Sequence, residues 1–451
     1  MKKISKYRIA VSTVFFALFL ITSCNNDEGA EDLFTENAVE RLDERSEELN
    51  NLLLSAENGW KMYYFTDSEE FGGFTLLMDF REDGTVLMTS DTDDELQTSE
   101  SRYDIKLGNT TKLSFTTKND IHNLVDSYYP VELRGEGYKG SGEFYYIETT
   151  ETGNIAFSSV RFQEGEYIVF EKATAEDWDS TIEESIAMEE NLLPGPEDSV
   201  FTLIEVDNGS SVEKYPFVFD ELRRYMNFSG IDSDGKVVDN SFGILYTPDG
   251  LTVYPKLEFD GVEFDSFNFD EEQGVFIAEE GGITVTIQYA DAPAVISDEV
   301  NEIGSVNYET YGFNFGWGTS SLTSKGFLNL IDEVNENLGQ YEFERFNIYA
   351  EVDEDGYVLV GFTISGYFAG YYFLPEIKDG KYVLTYQDVA DNNGRFFEEG
   401  LQPFLDLIGS EEGWYYDKLG SFTTDTRNFS NTSATFTSAE DPSVRFYGLW
   451  Y

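Results

Sequence analysis

The chain reads as a mainly β (α+β) protein: antiparallel meander sheets, sandwiched or curled into a partly open barrel, with an N-terminal helix and a few peripheral helices. Three observations predict this. Apolar residues alternate with polar ones at period 2 through most of the chain, most cleanly at Ile283, Val285, Ile287 and Tyr289 against Thr284, Thr286 and Gln288. Asp-Gly recurs between β-prone runs at 83–84, 234–235, 249–250, 260–261, 355–356 and 379–380, and this dipeptide supplies the positive φ angles of tight hairpins. The 38 Phe and 29 Tyr provide enough large apolar surface for sheet cores, which separates this acidic chain from a disordered one.

Taken in order, the first thirty residues read as an address. Lys2, Lys3, Lys6 and Arg8 precede an apolar run from Ile9 to Ile21, too short to span a bilayer comfortably. The run ends in Ile21-Thr22-Ser23-Cys24, and Cys24 is the one cysteine of the 451 residues. Small residues directly before a lone cysteine resemble a bacterial lipobox, so residues 1–23 are expected to be a lipoprotein signal peptide and Cys24 the lipidated N-terminus. Residues 24–36, with Asp27, Glu28, Glu31 and Asp32, are expected to form an acidic tether. An acidic stretch after the acylated cysteine resembles the signal for export to the outer face in Bacteroidetes lipoproteins. The expected location is the cell outer membrane, lipid-anchored and surface-exposed.

Residues 36–57 predict a helix, with Val39, Leu42, Leu49, Leu53 and Ala56 on one stripe and Thr35 as its cap. The period then changes to 2 from Trp60 onward. A polar helix is expected at 174–190, and Asn191-Leu192-Leu193-Pro194-Gly195-Pro196 breaks the pattern. Further helices are expected at 323–338 and near 396–408. The expected domains are 37–190 (N-terminal, β-rich), 199–292 (middle, β) and 293–451 (C-terminal, α+β).

Several blocks carry a family resemblance. They are Arg41-Leu42-Asp43-Glu44-Arg45, Ser55-Ala56-Glu57-Asn58-Gly59-Trp60-Lys61, Phe71-Gly72-Gly73-Phe74 and Asp83-Gly84-Thr85-Val86. Leu113-Ser114-Phe115, Asn119-Asp120-Ile121-His122 and Gly142-Glu143-Phe144 continue the series, followed by Asp249-Gly250-Leu251 and Phe267-Asn268-Phe269-Asp270. In this order they resemble a Bacteroidetes lipoprotein family known as domain of unknown function 4302, over residues 38 to about 290. Thr117-Lys118 stand where the family usually has a Tyr. The resemblance implies a cell-envelope lipoprotein found beside TonB-dependent uptake systems, and it carries over no catalytic residue.

Charge and composition close several doors. With 87 Asp plus Glu against 29 Lys plus Arg the net charge is −58, and removal of residues 1–23 takes it to about −62. Such a surface repels phosphate backbones and excludes nucleic-acid binding, so attachment to a membrane falls to the lipid. With one histidine, His122, an HExxH or multi-His zinc site is excluded, and no nucleophile elbow lies nearby. Glu351-Val352-Asp353-Glu354-Asp355-Gly356 resembles half an EF-hand loop, but Phe362 occupies the twelfth position, so a hairpin turn is expected. No metal or cofactor is expected.

The aromatic clusters 311–318, 367–373 and 413–416 remain. In a strand, Tyr371 and Tyr372 cannot both point inward. Trp317, Tyr372 and Trp414 are the expected ligand contacts. The leading expectation is a non-catalytic surface protein that binds a nutrient, neutral glycan or peptide, or assists TonB-dependent uptake components. The alternatives are a carboxylate-dependent hydrolase, which needs only two placed carboxylates, and a structural adhesion or scaffold module.

Overall fold

A computed structural model describes residues 38–93, 96–107, 110–161, 168–231 and 235–451. The expected signal peptide (1–23), Cys24, the expected tether (24–36) and the expected cap Thr35 lie outside the described residues. Among the described residues 24 strands and five helices form the protein, and the strands make three closed, eight-stranded antiparallel barrels.

The first barrel runs from β1 (Trp60–Phe65) to β8 (Ile168–Lys172), each strand pairing with the next, and closes through Trp60 opposite Lys172 and Met62 opposite Phe170. The second runs from β9 (Phe201–Asp207) to β16 (Ile283–Ala290) and closes through Val206 opposite Val285. The third runs from β17 (Thr310–Asn314) to β24 (Arg445–Trp450), closing through Tyr311 opposite Trp450. The antiparallel meanders are as expected, but they are neither sandwiches nor partly open. Eight twisted strands suffice to curl a sheet onto itself around one filling of side chains, and closure removes the unpaired edges.

The turns follow from the Asp-Gly pairs. Asp260 and Gly261 have φ of 51° and 78°, and Asp379 and Gly380 have 52° and 74°, so each pair forms a two-residue turn with both residues in the left-handed region. Phe259 pairs with Val262 across the first turn and Lys378 with Lys381 across the second. Alternation decides what faces inward: Ile283, Val285 and Ile287 are buried and the threonines between them are half-buried.

Helix α1 (Ala38–Leu53) lays Leu49 and Leu53 on the first core, and the Trp60 indole donates to the Leu53 carbonyl at 2.9 Å. Helix α2 (Ile121–Val125) is a single short turn that buries Ile121 and Leu124. The polar helix expected at 174–190 starts as a π-helical turn, Asp177–Thr181, and continues as α3 (Ile182–Glu189). Asp177 accepts from the Thr174 amide at 2.7 Å and from Lys61 at 2.8 Å, which ties this segment to β1.

In the third barrel α4 (Lys325–Leu338) follows β17, and α5 (Asn392–Ile408) precedes β22 (Trp414–Thr423). Asp391 caps α5 by accepting from the Gly394 amide at 2.7 Å, so the helix begins four residues before the expected start. The two helices close over the barrel core: Phe327 and Phe404 lie 5.7 Å apart, and Phe404 lies 5.3 Å from Phe346. A Cβ at Gly400 would lie 2.7 Å from Leu338 Cδ2, so the helices cross closely there.

The first two barrels meet where the segment leading into β2 (Gly73–Phe80) faces β11 (Tyr225–Ile231) and β12 (Val237–Thr247). The Gly72 amide donates to the Arg223 carbonyl at 2.8 Å, and the Phe65 and Tyr254 rings lie 5.5 Å apart. Arg224 enters the first barrel between the rings of Phe74 and Tyr246, at 4.5 and 5.0 Å. The third barrel joins the second through Val200, whose amide donates to the Pro442 carbonyl at 3.0 Å, and through Phe201 edge-on to Tyr415.

Candidate functional site

Most rings in this protein are packed inside barrels, and one exposed group gathers beside a groove. On the third barrel, Tyr341 follows α4, Tyr367 opens β20 (Tyr367–Lys378), and Phe396 and Phe397 lie in the first turns of α5. Phe397 is buried, Tyr341 is half-buried, and Tyr367 and Phe396 are 53% and 65% exposed. The turn Ser365-Gly366, with φ of 44° and 79°, brings Tyr367 to the helices. Tyr341 sits 6.3 Å from Tyr367, 5.9 Å from Phe396 and 5.1 Å from Phe397.

From these rings a groove of about 620 Å³ runs between α4 and α5. Leu338 and Gly400 lie beneath it, and Glu333 and Asn337 flank it from α4. Glu399, Gln402 and Asp406 flank it from α5, and the Gln402 amide donates to Asp406 at 2.6 Å. Among the described residues no Lys or Arg lines it. An aromatic end and an acidic wall suit a ligand with an apolar part and donors or positive charge, and oppose an anion.

The three residues expected from sequence occupy three different environments. Trp414 is 2% exposed, 5.0 Å from Phe446, and its indole donates to the Ile408 carbonyl at 3.4 Å; a ring so enclosed presents no face to a ligand. Trp317 ends a 3₁₀ turn at the barrel rim, half-buried against Phe422 at 5.4 Å and Phe429 at 6.1 Å. Tyr372 lies half-buried on the outer side of β20, 6.3 Å from Tyr357, while Tyr371 points into the core, as alternation requires. Sequence reasoning passed over Phe396 and Tyr341. Nothing local marked Phe396: the adjacent Phe404 and Leu405 of the same helix are both buried, whereas of Phe396 and Phe397 only the second is.

Residues 30–271 match the family described as Domain of unknown function (DUF4302). The chain belongs to the DUF4302 family. The match covers the first barrel and the second as far as β14 (Val262–Asp270), so the aromatic groove lies beyond it. No curated protein matches the chain. Among solved structures, a C. crescentus beta sliding clamp with PEG bound aligns at 8% identity over 89% of this chain and 94% of that one. Its TM-score of 0.15 carries no argument.

The DUF4302 blocks acquire structural roles. Phe71-Gly72-Gly73-Phe74 forms the seam between the first two barrels: a Cβ at Gly72 would collide with the Ile244 and Arg224 carbonyl oxygens. In Asn119-Asp120-Ile121-His122, His122 Nδ1 shares a 2.7 Å hydrogen bond with Asn119 Oδ1, and the Asn119 amide donates to Ser101 at 2.8 Å. Burial pushes the His122 pKa down, and Lys118 adds to this. Asp120, between them, is pushed up to about 6, chiefly by burial and further by Asp93, against a hydrogen bond from Ser99.

The half EF-hand sequence is a hairpin turn in which Asp353 accepts from the Asp355 and Tyr357 amides at 3.0 and 2.9 Å. Among the described residues no group of three or more His, Cys, Asp or Glu could hold a metal ion. No described helix is long and apolar enough to cross a membrane.

Proposed function

We propose that this DUF4302 protein is a lipid-anchored, surface-exposed outer-membrane protein of the Bacteroidetes lipoprotein type, which captures a ligand without turning it over and assists TonB-dependent uptake. The observation that carries the capture reading is the corner where half-buried Tyr341 meets the exposed rings of Tyr367 and Phe396 beside an acidic groove. Exposed aromatic side chains gathered next to a concavity are costly to leave in water and are the usual anchors of recognition. The leader sequence and Cys24 support the anchor.

Two measurements test this reading. The full chain, solubilised in detergent, is screened on glycan arrays and peptide pools; ligands lost on Phe396→Ala support capture, and silence in both screens overturns it. In the native host Cys24→Ser is expected to lose fatty-acid mass and membrane retention. Retention without acylation overturns the anchor.

The hydrolase reading has one observation in its favour. Asp120, with a pKa near 6 and the Asp93 charge close by, has the character of a proton donor near neutral pH. Turnover of a glycoside substrate that Asp120→Asn abolishes would favour it over capture.

A further inference from the structure

Three rings at the mouth of the groove, Tyr341, Phe396 and Phe397, are mutually near-perpendicular, and Tyr367 is tilted 44° to Phe397. Tyr341 meets Phe396 at 88° and Phe397 at 85°, and Phe396 meets Phe397 at 4.8 Å and 86°. Tyr341 and Tyr367 cross at 84°. These rings pack edge-to-face against one another, so the surface they present is broken into faces set at angles and is not one continuous flat platform. A pyranose binds an aromatic ring by lying flat across its face, so a sugar subsite needs that face open over the width of the sugar. A compact aromatic or aliphatic side chain instead fits the angle between two faces, meeting one edge-to-face and the other along its side.

Beyond the corner the groove carries charge of one sign. Glu333 on one helix and Glu399 and Asp406 on the other flank it without a cation, on a chain of net charge −58. From Phe396 to Asp406 the helix advances about 15 Å, the length of about five residues of extended peptide. Gly400 keeps the middle of the groove low, because no side chain rises there.

We infer that the groove takes a peptide segment of another protein, with one large apolar side chain seated against the corner of Tyr341 and Phe396 and neighbouring Lys or Arg residues against Glu333, Glu399 and Asp406. The inference rests on the capture reading and narrows its ligand class. Carboxylates at the rim steer a cationic segment toward the site, and the buried anchor holds it there.

The test uses the full chain in detergent and fluorescence anisotropy. The probes are a short labelled peptide with one Phe between pairs of Lys, the same peptide with Ala for Phe or Glu for Lys, and a panel of neutral oligosaccharides. The Phe/Lys peptide should bind, and the Ala and Glu versions should be weaker by roughly tenfold or more. Binding should also weaken as salt rises from about 50 to about 500 mM. Phe396→Ala and the double variant Glu399→Gln, Asp406→Asn should each weaken it by roughly fivefold or more with an unchanged thermal midpoint, because these side chains are exposed or flank solvent. Peptide binding that survives both variants overturns the inference. Oligosaccharide binding lost on Phe396→Ala, with the peptide ignored, overturns the peptide assignment and leaves capture standing. Failure of the groove to bind either probe class overturns both.

Discussion

Arg224 of the second barrel donates to the Asp91 carboxylate of the first at 2.7 Å, and the two side chains are 8% and 0% exposed. The same guanidinium donates to the Asp91 carbonyl at 2.8 Å and to the Gly73 carbonyl at 3.2 Å, and the other Asp91 oxygen accepts from the Thr75 amide at 2.7 Å. Burial alone would neutralise Asp91, and the Arg224 charge and the Thr75 amide oppose that. A charge this deep is tolerable only with its partner, so two separately closed barrels are held as a pair.

Removing Asp91 leaves the Arg224 guanidinium only the more distant Glu189 carboxylate, at 3.6 Å. Asp91→Ala is therefore expected to destabilise the protein by about 3–5 kcal/mol, and more than an exposed pair such as Arg81–Glu100 would. Urea unfolding gives the magnitude. Hydrogen exchange should rise in β2 and β12, while β22 of the third barrel keeps its protection; uniform loss across all three barrels would refute a local lock.

The seam also depends on the absence of side chains. A Cβ at Gly243 would lie 2.7 Å from the Phe71 carbonyl oxygen and 2.8 Å from Gly72 Cα, both backbone atoms. Gly243→Ala should cost about 1–3 kcal/mol by forcing the barrels apart. Gly84→Ala is the control. It sits at φ +78° with nothing within 4 Å, so only backbone strain of about 1 kcal/mol is expected, with exchange at the seam unchanged.

Asp120 sets a pH dependence whose sign is fixed by its raised pKa. Below about pH 4 both folded and unfolded chains hold the proton; from about pH 4 to about 6 only the folded one does, so this group's contribution to stability is lost as pH rises through that window. The loss is at most about 3 kcal/mol. Asp120→Asn should match the parent near pH 4 and exceed it in stability at pH 7. Denaturant midpoints at the two pH values check this, and an equal offset at both would remove the assignment.

The three sequence-picked aromatics should separate by burial. Trp414→Ala leaves a cavity in the third core and an unpaired Ile408 carbonyl, and should cost about 3–5 kcal/mol. Tyr372→Ala and Trp317→Ala, both half-buried, should cost about 1–2 kcal/mol. Thermal denaturation of the three variants ranks them, and a Trp414→Ala protein as stable as Tyr372→Ala would contradict the packing.

Fold class was legible in the chain because the signals for it are local. Period-2 runs and Asp-Gly turns depend on neighbours a few residues apart, so antiparallel meanders could be read directly. The helix at 323–338 was equally legible: its apolar stripe at Phe327, Ile331, Val334 and Leu338 is the face the structure buries. Nothing local distinguishes a closed barrel from a sandwich, since both need the same alternation. Closure rests on Trp60 finding Lys172 and Tyr311 finding Trp450, contacts more than a hundred residues apart in sequence.

Residue types and their order were enough to predict antiparallel sheets, tight turns and an acidic exterior, because those follow from periodicity, composition and charge. They did not reveal that Arg224, in the polar run Asp220-Glu221-Leu222-Arg223-Arg224, is buried, nor that Phe396 stays in water while its neighbour Phe397 does not. Burial is a property of what arrives from elsewhere in the chain. Asp91 is 133 residues from Arg224, and Tyr341 reaches Phe396 only after two helices have crossed at Gly400.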